Sequence, residues 1–391
     1  MKVMITTNRG LEDVASKEIK DILGVGAKER PFGILGRVMF DVGDIMDATY
    51  FTYLTRTANR VTVFLEHIKI SRDRKGLEEL YKSLYNLDWE FLKEYHTFAV
   101  RTDRFGVHEY NSMDIMRVAG QAIIDSIKDK KKYRQRVSLE DPDIIIRVDV
   151  IGNEVLVGID LVGEKALHRR GYKIYHHPAA LKTTLAQQLV ILSEWSKEKI
   201  LLDPMCGSGT IPIEAGIRVK DIPGSFWRKK DLQFTKMDLG IDWIEWMRKI
   251  DDDIVKLDEK AKIIAADRIF RHIKGSEINA QKALVKDIIQ FRRIDLEWLD
   301  LKIGEKEVDY IITNPPYGIR LSYREELKKI YKYLFYQADY ILDNNGKIVL
   351  ITPQKKLTLE NANKYKFELI HKRKVWNGNL EAYVFIFQKC D

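Results

Sequence analysis

KILLDPMCGSGTIPIEAGI, Lys199–Ile217, decides how the chain folds. Ile200–Leu202 is a short apolar run suited to a buried strand, and Asp203 ends it. Gly207 and Gly209 open a tight turn, after which Ile211–Ile217 resumes helical spacing. Strand, turn and helix in that order form the first unit of an open parallel sheet. Such a turn lies at the carboxyl ends of the strands, where ligands bind. Residues 181–391 repeat the alternation of apolar runs and helical segments, starting with the amphipathic stretch Leu181–Trp195, which predicts a mostly parallel, doubly wound α/β sheet.

The turn lacks the lysine of the phosphate-cradling G-x-x-x-x-G-K-S/T loop, and it lacks the G-x-G-x-x-G of dinucleotide sites. An acid stands immediately before it, which repels a pyrophosphate and attracts an ammonium group. That arrangement suits S-adenosylmethionine and makes Asp203, Met205, Gly207, Gly209 and Thr210 candidate cofactor contacts; the plain alternative is a structural turn. Two further acids extend the pattern. IFRHIKGSE (Ile269–Glu277) reads as a second strand ending in an acid, so Glu277 is the candidate for the ribose diol, its alternative being a helix cap. KIIAAD (Lys262–Asp267) competes for that position with Asp267 at its tip; Glu277 is preferred because a helical pattern follows it directly. IIQFRRID (Ile288–Asp295) holds a third strand, and Asp295 can accept from an adenine amino group.

EVDYIITNPPYGIRL (Glu307–Leu321) carries the reaction chemistry. Val308–Thr313 reads as a central strand with Asn314-Pro315-Pro316-Tyr317 at its end. Prolines fix φ and remove donors, leaving the Asn314 side chain and the Pro315 carbonyl as acceptors. An exocyclic amine on an aromatic base is a poor nucleophile, because its lone pair is delocalised into the ring. Two acceptors on its N–H bonds favour a pyramidal nitrogen, and Tyr317 can stack on the base. The competing reading is a proline turn capping a strand, with Tyr317 in the core.

DPMCGSGT, GSEIN, IIQFRRID and NPPYG together resemble the amino-methylating branch of the S-adenosylmethionine-dependent methyltransferases. GLEDVASKEI (Gly10–Ile19), GRVMF (Gly36–Phe40), LHRRGYK (Leu167–Lys173) and PAALKTTLAQQLV (Pro178–Val190) resemble its THUMP-bearing members. The resemblance implies a ferredoxin-like subdomain over 1–65, a THUMP subdomain over 66–166, a linker over 167–180 and a Rossmann-like methyltransferase domain over 181–391. It also implies N2-methylation of guanosine in RNA, with the layout of the tRNA enzymes acting at position 6 of the acceptor stem. It assigns Asn314, Pro315 and Tyr317 to catalysis, places Asn314 beside the cofactor as well, and adds Thr183 from the helix that lies beside the cofactor in relatives. Ribosomal RNA, N6-adenine in DNA, and a non-catalytic RNA-binding role are the alternatives. Asp221–Lys260 is a Trp-rich insertion with no assigned role.

The first half agrees with that layout. Strand-like Val3–Thr7, helical Leu11–Leu23, strand-like Ile34–Val42, helical Ile45–Leu54 and strand-like Arg60–Lys69 predict an α+β unit, and a second α/β stretch runs to Asp160. The chain has 391 residues, with 66 Lys+Arg against 58 Asp+Glu, a net charge of +8 that favours an anionic partner such as RNA. Lys128–Arg136, His168–Arg170, Trp227–Lys230 and His371–Lys374 are candidate phosphate contacts. Two distant cysteines, Cys206 and Cys390, exclude a disulfide scaffold and a Cys-based zinc cage and suit a reducing cytoplasm. No apolar run is long enough for a membrane span, and MKVMITTNRGLED lacks the features of a secretory signal. His168, His176 and His177 lie in the linker without acidic or Cys partners at helical spacing, so no metal site is expected.

Overall fold

The computed structural model describes residues 1–318 and 324–389; residues 319–321 of the catalytic stretch and Cys390 lie outside them. The N-terminal half contains β1 (Lys2–Thr6), α1 (Glu12–Leu23), β2 (Ala27–Glu29), β3 (Arg37–Asp41), α2 (Ile45–Leu54) and β4 (Arg60–Lys69). It continues through α3 (Lys75–Asn86), β5 (Thr97–Arg101), β6 (Arg104–Phe105), α4 (Ser112–Lys131), β7 (Arg136–Val137), β8 (Ile144–Ile151) and β9 (Glu154–Asp160). These strands form one continuous sheet in the order β2-β3-β1-β4-β9-β8-β5-β7, with β6 paired to β8. The seam is the antiparallel pairing of β4 with β9, from Thr62 opposite Asp160 to Lys69 opposite Glu154. The expected boundary between residues 65 and 66 therefore falls inside β4, because a shared hydrogen-bonded ladder joins the two subdomains.

The C-terminal half begins with α5 (Thr183–Leu192), β10 (Leu201–Asp203), α6 (Thr210–Val219) and α7 (Trp243–Ile254). It goes on through β11 (Ile263–Asp267), α8 (Phe270–Lys282), β12 (Ile289–Arg293), β13 (Val308–Thr313), α9 (Arg324–Ile341), β14 (Leu342–Thr352), α10 (Lys355–Lys364), β15 (Phe367–Asn377) and β16 (Leu380–Lys389). The strand order is β12-β11-β10-β13-β14-β16-β15, parallel as far as β14, with β16 antiparallel to both β14 and β15. Strands buried on both faces read as continuous apolar runs, as Ile263–Ala266 and Ile348–Ile351 do. No helix among the described residues is long and apolar enough to cross a membrane.

The two halves are joined by burial. Polar side chains on α5 meet the loop after β1: Asn8 Nδ2 donates to Gln188 Oε1 (2.7 Å), and Gln188 Nε2 donates to Thr7 Oγ1 (2.8 Å). The Trp-rich insertion packs on both modules: Ile222 lies in the core of its own domain, with Phe226, Trp227 and Val255 against it. Leu232, Phe234, Trp243 and Met247 lie in the core of the N-terminal half, and the Tyr53 hydroxyl donates to Asp251 (2.7 Å). Burying each such side chain contributes about 1.5–3 kcal/mol, so the insertion is a strap that fixes one module on the other.

This joint also uses charges that the sequence offers for phosphate binding. Arg170 is 1% exposed and its guanidinium forks onto Glu214 (3.2 and 3.0 Å). It also donates to the Arg56 carbonyl (2.6 Å). Arg228 is spent on the carbonyls of Ala166 and Lys165 (2.9 and 2.6 Å), and Lys229 on Asp251. In the Lys128–Arg136 run, Lys130, Lys131 and Arg136 donate to carbonyls of Tyr85, Leu87, Trp89 and Tyr95. Arg170 and Arg228 are thus corrected from phosphate contacts to buried structural cations, because carboxylate or carbonyl partners hold them inside.

Candidate active site

β11 and β13 flank β10 on opposite sides, so the chain reverses its winding direction there and opens a crevice at the carboxyl ends of the strands. A cavity of about 860 Å³ occupies the crevice. Asp203, Met205, Gly207 and Thr210 line it, as do Asp267, Asp295 and the run Asn314–Tyr317. The apolar strands and the turn thus bring together most of the residues that the sequence singled out.

Gly207 and Gly209 have φ of +55° and +77°, which side chains other than glycine rarely adopt. A Cβ at Gly209 would stand 2.8 Å from the Ser276 Cβ. Gly209 is not on the cavity wall; it lets α8 approach the turn. Gly207 serves the site directly, its N–H donating to Asp267 Oδ2 (3.0 Å).

Asp203 is 2% exposed and accepts from the Thr313 hydroxyl (2.8 Å) and the Met205 N–H (3.2 Å). Burial, with a smaller push from the Asp267 charge, lifts its carboxyl to about 7. No cation pairs with it among the described residues. A buried carboxylate with two donors and no counter-charge fits a ligand that brings an ammonium group.

The ribose position requires a correction. Ile269–Glu277 is not a strand; Ile269 caps α8 and Phe270–Glu277 lie in it, with buried Ile273, Ser276, Asn279 and Ala280 recurring at three- and four-residue spacing. The second strand is β11, whose Ile263–Asp267 pair with β12 in unbroken register. Asp267 therefore stands at the strand tip. Its Oδ1 accepts from the Ile269 N–H (2.9 Å) and lies 3.1 Å from His272 Nδ1. Glu277 pairs with Lys274 (3.0 Å) and is absent from the cavity wall. Thr183 is also off the wall: it is buried, and its hydroxyl donates to the His168 carbonyl (2.8 Å).

At the tip of β13, Asn314 Nδ2 donates to the Ala179 carbonyl (3.3 Å), while its Oδ1 is buried with no partner among the described residues. Buried polar atoms are nearly always paired, so this oxygen is an acceptor in reserve. Gln354 Nε2 donates to the Tyr317 carbonyl (2.7 Å) and fixes the tip. The Tyr317 hydroxyl is buried beside Asn377 without a well-formed hydrogen bond, and burial raises it to about 12.

Sequence reasoning missed part of the wall. The supposed linker contributes His177 through Leu181, and His272, Asn377 and Leu380 also line it. The His177 ring stands edge-on to His272, with centroids 4.7 Å apart, so it shapes the cavity. The only advance signal was that Pro178–Leu181 leads into a helix expected beside the cofactor. Asp203, Asp267 and Asp295 line one cavity at the ends of successive strands, and three acids so placed fit the ammonium, diol and adenine amine of S-adenosylmethionine.

The strand order, the glycine turn after β10 and the Asn-Pro-Pro-Tyr tip of β13 define a Rossmann-like methyltransferase domain. Residues 170–383 match the family described as RMKL-like, methyltransferase domain, and residues 74–160 match the THUMP domain. The chain belongs to this RMKL-like methyltransferase family and carries a THUMP domain. It is 38% identical over 386 residues to the tRNA (guanine(6)-N2)-methyltransferase of Methanocaldococcus jannaschii, covering 98% of this chain and 99% of that one. It is 34% identical to the protein of the same name from Archaeoglobus fulgidus, over 98% of this chain and 91% of the relative. Its fold is also that of SMU.472, solved in complex with SAH: TM-score 0.83, 23% identity, covering 100% and 98% of the two chains.

Proposed function

We propose that the chain transfers a methyl group from S-adenosylmethionine to the exocyclic N2 amine of a guanosine in tRNA, at position 6 of the acceptor stem. The observation that carries the reading is the partnerless, buried Asn314 Oδ1 at the tip of β13, beside the cavity that Asp203 and Gly207 border. The THUMP match and the two archaeal relatives support tRNA over DNA, and the free buried thiol of Cys206 is compatible with a reducing cytoplasm.

S-adenosylmethionine, when bound, supplies a methyl group activated by its sulfonium. Asp203 holds the ammonium end, Asp267 the ribose hydroxyls and Asp295 the adenine amine. Base-paired guanosine hides its N2, so the nucleotide leaves its stack to reach the cavity. Asn314 Oδ1 and the Pro315 carbonyl accept the two N–H bonds of the amine, and Tyr317 supports the ring. The nitrogen lone pair is thereby released from the ring and aimed in line; the N–C bond forms as the S–C bond breaks, and the nitrogen then loses a proton. Positioning and exclusion of water supply most of the rate.

Mass spectrometry of tRNA digests after incubation with enzyme and S-adenosylmethionine tests the reading, with N2-methylguanosine at position 6 the expected product. Methylation of duplex DNA or of ribosomal RNA alone would reject it. Asn314→Ala should lower turnover by about 10²–10³, the cost of removing one aimed polar group, while calorimetry shows cofactor affinity nearly unchanged. Equal loss of both would make Asn314 a structural residue.

A further inference from the structure

The exposed face of β15 carries Lys372, Lys374 and Trp376, two residues apart and therefore on one side of the strand. Across the ladder Tyr383 stands opposite Lys374. Lys372 Nζ lies 5.5 Å from the centre of the Tyr383 ring, and Lys355 Nζ, from the start of α10, lies 5.8 Å from the same centre. Neither lysine has a carboxylate partner among the described residues, and both are exposed. The neighbouring Lys355 ammonium holds Lys372 below its ordinary value. The half-buried Tyr383 donates its hydroxyl to Glu381 (3.1 Å), whose carboxylate pairs with Lys374, so the two like charges converging on the ring from Lys355 and Lys372 have no carboxylate of their own among the described residues and mark a place for an external anion.

The pair adjoins the reaction site. Lys355 follows Gln354, whose side chain holds the Tyr317 carbonyl, and Asn377 at the end of β15 lines the cavity. The same strand leads out to the other module. Lys374 Nζ stands 5.1 Å from the Trp376 ring and also pairs with Glu381 (2.6 Å). Arg9 lies 5.8 Å from both the Trp376 ring and the Phe105 ring. Phe105 is 45% exposed and belongs to the segment matching the THUMP domain. Cations interleaved with aromatic faces thus run from beside the catalytic tip, across the module seam, to the second subdomain.

We propose that Lys355 and Lys372 clamp a backbone phosphate of the RNA at the mouth of the catalytic cavity, and that Tyr383, Trp376, Arg9 and Phe105 continue this clamp as a track for an unpaired RNA strand. Phosphates lie between the cations and bases stack on the aromatic faces, the pattern by which single strands are held without regard to sequence. This rests on the RNA reading above and adds the surface that reading leaves unassigned.

The test compares the wild-type protein with K355E/K372E and K355Q/K372Q, using tRNA as the probe. The charge-reversed pair should raise KM for tRNA about tenfold or more with kcat little changed. The neutral pair should reduce the slope of log affinity against log salt by roughly 0.7 for each single-strand phosphate that is no longer neutralised. Cofactor affinity and the thermal midpoint should match wild type. A wild-type KM and salt slope in K355E/K372E would overturn the track while leaving the tRNA reading intact. A wild-type protein that neither binds nor methylates tRNA would overturn both.

Discussion

Two buried carboxylates, one at the end of β10 and one in the helix that follows it, have opposite fates. Glu214, on α6, is fully buried with Arg170 beside it and the Tyr172 hydroxyl on Oε1 (2.9 Å). Its charge is answered inside the chain, and the answer ties the linker, the catalytic domain and the N-terminal half together. Asp203, at the end of β10, is equally buried but among the described residues has only a hydroxyl and one N–H for company. The first arrangement is complete and does structural work; the second is incomplete and awaits a cation from outside. In this molecule the uncompensated buried charge marks the site, and the compensated one marks the joint.

The largest expected effect falls on the joint. Arg170→Ala leaves Glu214 charged, buried and unpaired, which should cost about 3–5 kcal/mol of stability. Chemical denaturation measures it, and a loss below about 1 kcal/mol would show that the pair is not a fastening. Asp203→Asn should behave in the opposite way. The neutral amide relieves the burial of a charge, so the thermal midpoint should hold or rise, while cofactor affinity falls by about tenfold or more. A drop in midpoint with unchanged cofactor affinity would erase the contrast between the two carboxylates.

The contrast also has a pH signature. Asp203 has its carboxyl raised to about 7 in the fold, above the ordinary 3.8. The folded protein therefore holds a proton that the unfolded chain has lost between about pH 4 and 7. This group's contribution to stability is present at the acid end of that window and is lost as pH rises through about 7. Binding an ammonium group ionises Asp203, so cofactor binding should release a proton near pH 6, whereas near pH 8.5, where Asp203 is already ionised and a free α-amino group has mostly lost its proton, binding as the ammonium should take a proton up. Calorimetry in buffers of different ionisation enthalpy reads this difference; identical proton counts at both pH values would reject the assignment.

The smallest effect separates the two acids that compete for the ribose. Asp267→Asn should weaken cofactor binding several-fold, because its carboxylate also orders the Gly207 N–H, whereas Glu277→Gln should change it by less than twofold, since among the described residues Glu277 reaches only Lys274. The reverse ranking would restore Glu277.

The sequence alone determined the parallel sheet, the end of that sheet where the ligand belongs, and the Asn-Pro-Pro-Tyr tip. Those features are local: an apolar run of strand length, an acid at its end, glycines in the turn and prolines that fix φ are each legible within ten residues. It did not determine which acid follows the second strand, because IFRHIKGSE is as apolar at its start as a short strand and only pairing with β12 settles the register in favour of Ile263–Asp267. Nor could it say that His177–Leu181 wall the cavity, that the middle of Asp221–Lys260 (Leu232, Phe234, Trp243 and Met247) belongs to the core of the other module, or that Arg170 is buried while Lys355 and Lys372 converge in the open. Those facts depend on which residues far apart in the chain come within a few ångströms, and the free energy of a charge or an apolar surface is fixed by that company.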